Sequence, residues 1–258
     1  MENRIRISVV NYTNSRPFIY GLRNAAEDLQ AEIAYDIPAD CAQKLIDDQV
    51  DIGLVPVATL LSLDYWEIIS AFCIGASGPV NSVFIFSEKP IDSIKRLQLD
   101  PQSRSSNMLA RVLLKNHWKT APELLVDAPD YALPGDDETA FVQIGDRTFG
   151  KQDQYAYAYD LAEEWQKMTG LPFVFAAWVA NKPVEDQFKD AFTDALRYGL
   201  DHRAEVIASL PAVPGFDIET YLMHNIDYIL DAEKRKALEL YLKLARELEP
   251  LEHEIDRR

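Results

Sequence analysis

LPFVFAAWV, residues 171–179, is the stretch that decides the fold. It is apolar and aromatic throughout, as expected of a strand that is buried on both faces. Short apolar strand candidates alternate with amphipathic helices along most of the chain before it, which favours an α/β fold with mostly parallel sheets. We interpret this stretch as the strand in which the chain crosses back to its first sheet.

A second crossing point is predicted at the strand near residues 82–86. Between the two crossings the chain has its own βα pattern, with strands near residues 97–99, 124–126 and 140–144 and helices over 105–117 and 159–169. This unit is interpreted as an insertion into a first lobe. We therefore expect lobe 1 at residues 1–86 and 180–258 and lobe 2 at residues 87–179. Such a double crossover builds a two-lobed clamshell that binds its ligand in the cleft, at the carboxyl ends of strands.

The outer parts of the chain complete the predicted first lobe. Apolar strand candidates and helical spacing predict strands at residues 5–10, 50–57 and 68–74 and helices over residues 15–29 and from residue 38. The remainder is predicted to be helical, over residues 184–202, on to 209, 218–229 and 232–249.

Charge and cysteine content limit the partners. The formal net charge of −16 argues against nucleic acid and anionic membrane surfaces. A site for an anion would have to be locally electropositive, through Arg side chains and helix N-termini. The amino terminus shows no apolar signal segment, and no run approaches the roughly 20 apolar residues of a membrane span, so we expect a cytoplasmic protein. Cys41 and Cys73 form no C-x-x-C pair, and two buried free thiols are favoured over a disulfide.

Several motifs are absent from the sequence. The histidines show no metal-ligand spacing; they are His117, His202, His224 and His253. There is no G-x-G-x-x-G after the first strand, no complete phosphate-binding G-x-x-x-x-G-K-[ST], since GDRTFGK at residues 145–151 is followed by Gln152, and no G-x-S-x-G. We therefore expect no metal and no cofactor, and nicotinamide, nucleotide-hydrolysis and acyl-enzyme chemistry are disfavoured.

The first candidate site segment is NYTNSRPF, residues 11–18, where the first strand gives way to a helix. Exposed helix N–H groups face the ligand position at such a turn. Asn14 and Ser15 could donate hydrogen bonds to a carboxylate or hydroxyl, and Arg16 could supply charge. Alternatively, Ser15 merely caps the helix and Asn14 shapes the turn.

The second candidate segment is GASGPVNSV, residues 75–83. Its glycines and proline predict a tight turn that lets a ligand approach the backbone closely. Asn81 and Ser82 are its polar groups nearest the expected hinge. A plain loop between strands is the alternative.

Two further segments contain groups suited to an anion. In LDPQSRSSNMLARVLL, residues 99–114, the serines and Arg104 at the start of a long helix form an anion cradle, although N-capping explains one of the serines. In FVQIGD, residues 141–146, Asp146 could act as acid, base or acceptor, or could simply cap a turn. Trp178 in the apolar stretch is a core residue that could also touch the cleft.

Taken together, these segments resemble the menaquinone biosynthesis family of the futalosine pathway, from residue 5 to about residue 179 and more weakly in the C-terminal helices. The stretches that carry the resemblance are NYTNSRPF, DIGLVPVATL, CIGASGPVNSVFIFS, LDPQSRSSNMLARVLL, IGDRTF and YDLAEEWQKMTGLPFVFAAWVA. The resemblance implies the type II, periplasmic-binding-protein-like fold with a double crossover.

That family has two branches. One is chorismate dehydratase, which forms 3-[(1-carboxyvinyl)oxy]benzoate; the other is a later enzyme that releases a dihydroxynaphthoate and uses a histidine base. The chain resembles the first branch in its Y-x-N-S/T-x-P pattern at residues 12–17, and it has Gly145 where the histidine of the later enzyme would align. Thr13 and Arg16 depart from the commoner form of the pattern, which leaves the role of Arg16 open.

The resemblance implies chorismate, a small dicarboxylate, as the substrate and Asn14, Ser82 and Asp146 as the catalytic candidates. The expected substrate-binding residues are Ser15, Arg16, Gly78, Pro79, Val80, Asn81, Arg104, Ser105, Ser106, Gly145 and Trp178. Because Asn14 is neutral and no histidine is suitably placed, the base is either the substrate's own enolpyruvyl carboxylate or Asp146. The alternatives are a non-catalytic solute-binding protein, a ligand-sensing domain and the later enzyme of the family.

Overall fold

Two β-sheets organise the chain in the computed structural model, which describes residues 4–126 and 136–248. The strands are β1 (Ile5–Val10), β2 (Ala31–Asp36), β3 (Ile52–Pro56), β4 (Glu67–Ala76), β5 (Val83–Ser87), β6 (Arg96–Gln98), β7 (Glu123–Leu125), β8 (Thr139–Ile144), β9 (Tyr157–Asp160), β10 (Phe173–Ala180) and β11 (Asp227–Ile229). The helices are α1 (Arg16–Ala25), α2 (Pro38–Ile46), α3 (Arg104–Leu113), α4 (Leu161–Thr169), α5 (Asp186–Asp201), α6 (Arg203–Ser209), α7 (Ile218–Thr220) and α8 (Ala232–Arg246). The larger sheet has the order β11-β4-β10-β3-β1-β2 and the smaller one the order β7-β6-β8-β5-β9.

The stretch at residues 171–179 forms β10, in the interior of the larger sheet. Seven of its eight residues are buried, so both faces of the strand are covered. Trp178 packs edge-on against Phe18 of α1 and Phe192 of α5, at ring-centroid distances of 5.7 and 5.0 Å. β1 runs parallel to β2 and to β3, whereas β10 is antiparallel to both of its neighbours. The sheet is therefore mixed rather than mostly parallel.

The chain passes between the two sheets twice. β4 pairs in the larger sheet and β5 in the smaller, so the first passage lies at residues 77–82. The second lies at residues 170–172, between α4 and β10. The sequence-based boundaries after residues 86 and 179 placed β5 in lobe 1 and β10 in lobe 2. In the structure β5 pairs in the smaller sheet and β10 in the larger one. The apolar strands on either side of a crossing have similar compositions, and composition does not say with which sheet a strand pairs.

Three short strands lie where the sequence predicted something else. β2 was not predicted, β9 occupies the predicted start of a helix, and β11 lies within the predicted helix 218–229. In that last segment α7 gives way to a π-helical turn, Tyr221–Asn225, before β11 pairs with β4 at the sheet edge. Edge pairing with an existing sheet outweighs the local helical pattern there. Cys41 and Cys73 are buried free thiols, as predicted.

Within the residues described, no helix combines the length and the apolar character that a membrane crossing requires.

Candidate functional site

A cavity of about 540 Å³, counted out to its open mouth, lies between the two lobes. It is bounded by the carboxyl ends of β1, β3 and β8. Its polar lining residues are Tyr12, Asn14, Ser15, Ser82, Ser103, Ser105 and Ser106. Its apolar or glycine lining residues are Val10, Pro38, Leu54, Pro56, Ile74, Val80, Val83, Ile144, Gly145, Phe175 and Ala176. The cleft predicted from the crossovers therefore contains a cavity with convergent polar groups.

The polar lining consists of hydroxyl and amide groups. Among residues 4–126 and 136–248, no Asp, Glu, His, Lys or Arg lines the cavity. Across residues 4–126 and 136–248 there is also no group of three or more His, Cys, Asp or Glu side chains that could hold a metal ion. Binding inside this cavity therefore depends on neutral hydrogen-bond donors and acceptors, and on the partial charge of any helix end that faces it.

The start of α3 contributes the serine cluster of lobe 2. The Ser103 hydroxyl caps the helix by accepting a hydrogen bond from the Ser106 backbone N–H at 3.1 Å. The Ser105 hydroxyl accepts from the Ala58 backbone N–H of lobe 1 at 3.1 Å. Because a backbone N–H can only donate, the hydroxyl protons of Ser103 and Ser105 remain free to donate elsewhere. Together with the Ser106 hydroxyl they form a donor cluster at the positive end of a helix, a favourable place for an anion.

The turn before α1 contributes Asn14 and Ser15 from lobe 1. Ser15 precedes the helix but makes no capping hydrogen bond. Its hydroxyl instead donates to the Asn14 side-chain carbonyl at 3.1 Å. The Asn14 amide group donates to the Tyr221 hydroxyl at 3.3 Å, and the Tyr228 hydroxyl donates to the Asn14 backbone carbonyl at 2.8 Å. Ser15 thus occupies the N-cap position without capping the helix through its side chain, and its hydroxyl orients Asn14 instead.

Ser82 lies opposite Asn14, at the end of the first passage between the sheets. Its hydroxyl accepts a hydrogen bond from Tyr221 at 2.9 Å, and its backbone carbonyl accepts from the Gly145 N–H at 2.8 Å. Burial raises the pKa of Tyr221, so this phenol keeps its proton at neutral pH. Sequence reasoning missed both Tyr221 and Tyr228, because nothing local distinguishes a buried tyrosine at a site from one in the core.

Gly145 forms part of the cavity wall beside Tyr12. Its φ of +66° lies in the left-handed region, and a Cβ at this position would come within 2.7 Å of the Tyr12 ring. The Tyr12 hydroxyl donates to the Gln102 side-chain carbonyl at 2.5 Å across the cleft. Burial raises the pKa of Tyr12 to about 12. Glycine at residue 145 therefore allows Tyr12 to pack against the wall of the opposite lobe.

Asp146 lies outside the cavity wall, at the contact between the lobes. Its carboxylate accepts hydrogen bonds from the Thr13 backbone N–H at 3.1 Å and from the Thr13 hydroxyl at 2.9 Å. Although much of the side chain is exposed, desolvation against the opposite lobe raises the pKa of its carboxyl. The positive charge of Arg16 lowers the pKa of Asp146 and so partly offsets the effect of desolvation. Arg16 does not line the cavity either. These two charged candidates therefore lie outside the cavity lining, close enough for the charge of Arg16 to act on Asp146.

Of the other residues that the sequence predicted to bind the substrate, some line the cavity and some lie elsewhere. Val80 lines the cavity, whereas Gly78 and Pro79 line a separate surface groove. Asn81 turns away, its backbone N–H donating to Asp160 at 2.7 Å. Two further residues expected to bind substrate do not line the cavity either: the Arg104 guanidinium donates to Gln43 at 2.9 Å, and Trp178 is buried in the lobe 1 core.

Comparison with known structures identifies the architecture. The chain matches a structural-genomics protein from Archaeoglobus fulgidus with a TM-score of 0.74 and 15% identity, covering 95% of this chain and 97% of that one. It matches a conserved Candida albicans gene product, described as having the generic periplasmic binding protein fold, with a TM-score of 0.65, 14% identity and coverage of 99% and 94%. The alkanesulfonate-binding protein SsuA from Xanthomonas axonopodis pv. citri matches with a TM-score of 0.61, 17% identity and coverage of 96% and 94%. The predicted periplasmic-binding-protein-like fold is confirmed.

The sequence itself matches a protein-family model described as menaquinone biosynthesis over residues 5–247. The match includes every residue that lines the cavity. It also extends through the C-terminal segment that contains Tyr221 and Tyr228, where the resemblance seen in the sequence alone was weaker. The chain therefore belongs to the menaquinone biosynthesis family.

Proposed function

We propose that this protein is a chorismate dehydratase, which removes water from chorismate to form 3-[(1-carboxyvinyl)oxy]benzoate for menaquinone biosynthesis. The observation that carries the proposal is the interlobe cavity, which presents hydroxyl and amide groups from both lobes and, in the part of the chain that the structure describes, is lined by no charged side chain. Membership of the menaquinone biosynthesis family supports the pathway. A location in the cytoplasm is part of the proposal.

The serine cluster at the start of α3 is the proposed subsite for one carboxylate of chorismate. The hydroxyl protons of Ser103 and Ser105 are free to donate, and Ser106 adds a third hydroxyl on the same wall. Chorismate loses the hydrogen on its ether-bearing carbon, which is vinylogously acidic towards the ring carboxylate. Donors and a helix N-terminus at that carboxylate would stabilise the negative charge that develops there.

The proposed base is the enolpyruvyl carboxylate of the substrate. This proposal is supported by the lining, which offers no carboxylate or imidazole, and by the position of Asp146 at the rim beside Thr13. The substrate carboxylate would take the proton from the ether-bearing carbon, and the C–H electron pair would form the new ring double bond as the neighbouring hydroxyl leaves. That hydroxyl would take up the proton and depart as water, so the reaction needs no further reactant. The role of the protein is then orientation and exclusion of bulk water.

The lining also favours the dehydratase over the later, histidine-dependent enzyme of the family. Gly145 occupies the position where that histidine would align, and any Cβ there would come within 2.7 Å of the Tyr12 ring. His117, His202 and His224 do not line the cavity.

A non-catalytic binding protein for a small anion is the second candidate. The alkanesulfonate-binding protein with the same fold supports it, because fold by itself does not separate enzymes from binding proteins. The neutral donor lining would suit a bound carboxylate equally well.

Incubation of the purified protein with chorismate tests the proposal. We expect loss of the chorismate absorbance and formation of one molecule of the benzoate product and one of water per molecule consumed, as measured by chromatography and mass spectrometry. Ser82→Ala and Asn14→Ala should each lower the rate by at least about tenfold, since each removes one orienting hydrogen bond. Tight binding without turnover would favour the binding protein, and an unaffected Asn14→Ala enzyme would remove Asn14 from the proposed machinery.

A further inference from the structure

Tyr221 links the two sides of the cavity without belonging to any of the four predicted site segments. Its hydroxyl lies 3.3 Å from the Asn14 side-chain nitrogen and 2.9 Å from the Ser82 hydroxyl oxygen. Both partners line the cavity, whereas the tyrosine itself is completely buried behind them. It also begins the π-helical turn Tyr221–Asn225, a type of distortion that occurs often at functional sites.

The chemistry of the three groups fixes the direction of the hydrogen bonds. An amide NH₂ group can only donate, so the Tyr221 hydroxyl accepts from Asn14. The one proton of Tyr221 then goes to its other partner, and the Ser82 oxygen accepts it. The Ser82 proton is left over, so Ser82 can donate into the cavity.

Two features keep this arrangement in place. The Tyr221 ring packs edge-on against Phe149 and Phe216, at centroid distances of 5.2 and 5.3 Å. Those two rings stack on each other at 3.8 Å, so the tyrosine ring would keep its packing without its hydroxyl. Burial raises the pKa of Tyr221, which keeps the donated proton on the phenol at neutral pH.

We propose that Tyr221 is a positioning residue, whose hydroxyl holds Ser82 as a hydrogen-bond donor to the anion bound in the cavity. The inference rests on the proposed function insofar as that anion is chorismate. It adds to that function a residue from the C-terminal segment which acts through Ser82 and does not contact the substrate. Without the tyrosine proton, the Ser82 hydroxyl would be free to rotate and to accept instead of donate.

The test uses Tyr221→Phe, which removes only the hydroxyl, and Ser82→Ala, which removes the group that it positions. Tyr159→Phe is the matched control, because it removes a hydroxyl that accepts from the Ile91 N–H at 3.0 Å, in lobe 2 and away from the cavity lining. Calorimetry measures the dissociation constant of 3-hydroxybenzoate, an unreactive aromatic carboxylate, and a second assay measures kcat and KM for chorismate. The double variant Tyr221→Phe with Ser82→Ala completes the cycle.

We expect Tyr221→Phe to raise the dissociation constant of 3-hydroxybenzoate about tenfold and to lower kcat/KM for chorismate at least as much. Ser82→Ala should cause the same losses of affinity and of kcat/KM. Adding Tyr221→Phe to Ser82→Ala should cause no further loss, whereas a merely structural role of Tyr221 would give a further loss in the double variant. Tyr159→Phe should stay within about twofold of the wild type on both measures.

The inference would be overturned by binding of 3-hydroxybenzoate by Tyr221→Phe within about twofold of the wild type, or by an equal loss of affinity with and without Ser82. A wild type that does not bind 3-hydroxybenzoate would also overturn it, because Ser82 would then have no carboxylate to donate to. A wild type that binds 3-hydroxybenzoate but leaves chorismate unchanged would refute the proposed dehydratase activity alone. The calorimetric cycle would in that case still decide the role of Tyr221. Should Tyr221→Phe fail to fold, Ser82→Ala still tests the donor, and an unchanged dissociation constant in that variant would overturn the inference.

Discussion

The starts of α1 and α3 face each other across the cleft, and they use their polar residues in opposite ways. At α1, the Ser15 hydroxyl and the Asn14 amide are engaged with each other and with buried tyrosines. At α3, Ser103 and Ser105 accept hydrogen bonds from backbone N–H groups, which leaves their own protons free. The α1 turn is thus an oriented element supported from behind, whereas the α3 turn is a donor cluster directed at the cavity.

This difference would explain how an acidic protein can hold the anion of the proposed function without a cation among the described lining residues. The net charge of −16 is carried elsewhere, and the donors at the α3 start are neutral. Neutral donors at a helix N-terminus attract an anion through dipoles that act at short distance. Salt screens the distant surface charges, so at that distance the dipoles have the larger effect. The predictions below test the two turns and the walls beside them, in order of decreasing effect.

The largest effect is expected at Gly145, where the wall of lobe 2 meets Tyr12 of the α1 turn. Gly145→Ala should lower kcat/KM for chorismate about 100-fold, because its Cβ would displace the Tyr12 ring and a displacement of about 1 Å at a site can have that effect. It should also destabilise the protein by about 2–5 kcal/mol, from left-handed strain plus overpacking.

Gly170→Ala is the control for Gly145→Ala, since its φ of +72° is similar and a Cβ there meets nothing within 4 Å. Gly170→Ala should lower the free energy of unfolding by about 1–2 kcal/mol, from backbone strain alone, and should leave chorismate turnover unchanged. Equal activity losses in the two variants would mean that strain, and not Tyr12, is responsible.

The second prediction concerns Asp160, which supports the lobe 2 side by accepting from the Asn81 N–H at 2.7 Å. Burial raises the pKa of Asp160 to about 6. Because this exceeds the unfolded value, the folded state binds the extra proton between about pH 4 and pH 6. The stabilisation is complete below about pH 4 and is lost as the pH rises through 6, by about 3 kcal/mol in all.

Denaturant unfolding at several pH values measures that loss, and Asp160→Asn should abolish it. Asp217→Asn is the control of opposite sign, because hydrogen bonds from Thr220 lower the pKa of Asp217. In the wild type, Asp217 therefore stabilises the fold at higher pH, and this contribution is lost as the pH falls. Asp217→Asn should abolish that loss. A pH profile for Asp160→Asn that parallels the wild type would contradict the prediction.

The third prediction separates the two roles within the α3 turn. Ser103→Ala removes the helix cap and should lower the free energy of unfolding by about 1 kcal/mol. Ser106→Ala removes a lining hydroxyl that is not the cap, so it should leave stability within about 0.5 kcal/mol and weaken 3-hydroxybenzoate binding about 5–10-fold. Because Ser103 also contributes a donor to the cavity, both variants should weaken binding, whereas only Ser103→Ala should lower the free energy of unfolding. Equal stability losses would show that both serines are structural.

The contrast between the two turns also shows what sequence can predict. The apolar run at residues 173–179, the strand–helix alternation and the serine cluster identified the fold and the donor wall, because periodicity and capping chemistry are local properties. The sheet to which a crossing strand belongs is not local, and neither is the packing of Tyr221 behind Ser82, which joins residues 139 positions apart. Arg104 was predicted as a ligand from its position beside the serines at a helix start, and Trp178 from its place in the apolar strand, but the side chains contact Gln43 and Phe18 instead.

The smallest effect is expected at Asp146, the protein group that would replace the substrate as base. Its carboxylate already accepts from both Thr13 donors at the rim, and an amide oxygen can accept from at least one of them. Asp146→Asn should therefore keep chorismate turnover within about fivefold of the wild type, whereas loss of a true general base costs roughly 10²–10⁴-fold. Because the pKa of Asp146 is raised, its carboxyl stabilises the fold at low pH and loses that contribution as the pH rises, so the variant should gain stability relative to the wild type as the pH rises above about 4. Thr13→Val, which removes the hydroxyl partner and keeps the carboxylate, is the matched control. A loss of more than about 100-fold in Asp146→Asn, with 3-hydroxybenzoate binding intact and Thr13→Val active, would make Asp146 the base and refute substrate-assisted proton transfer.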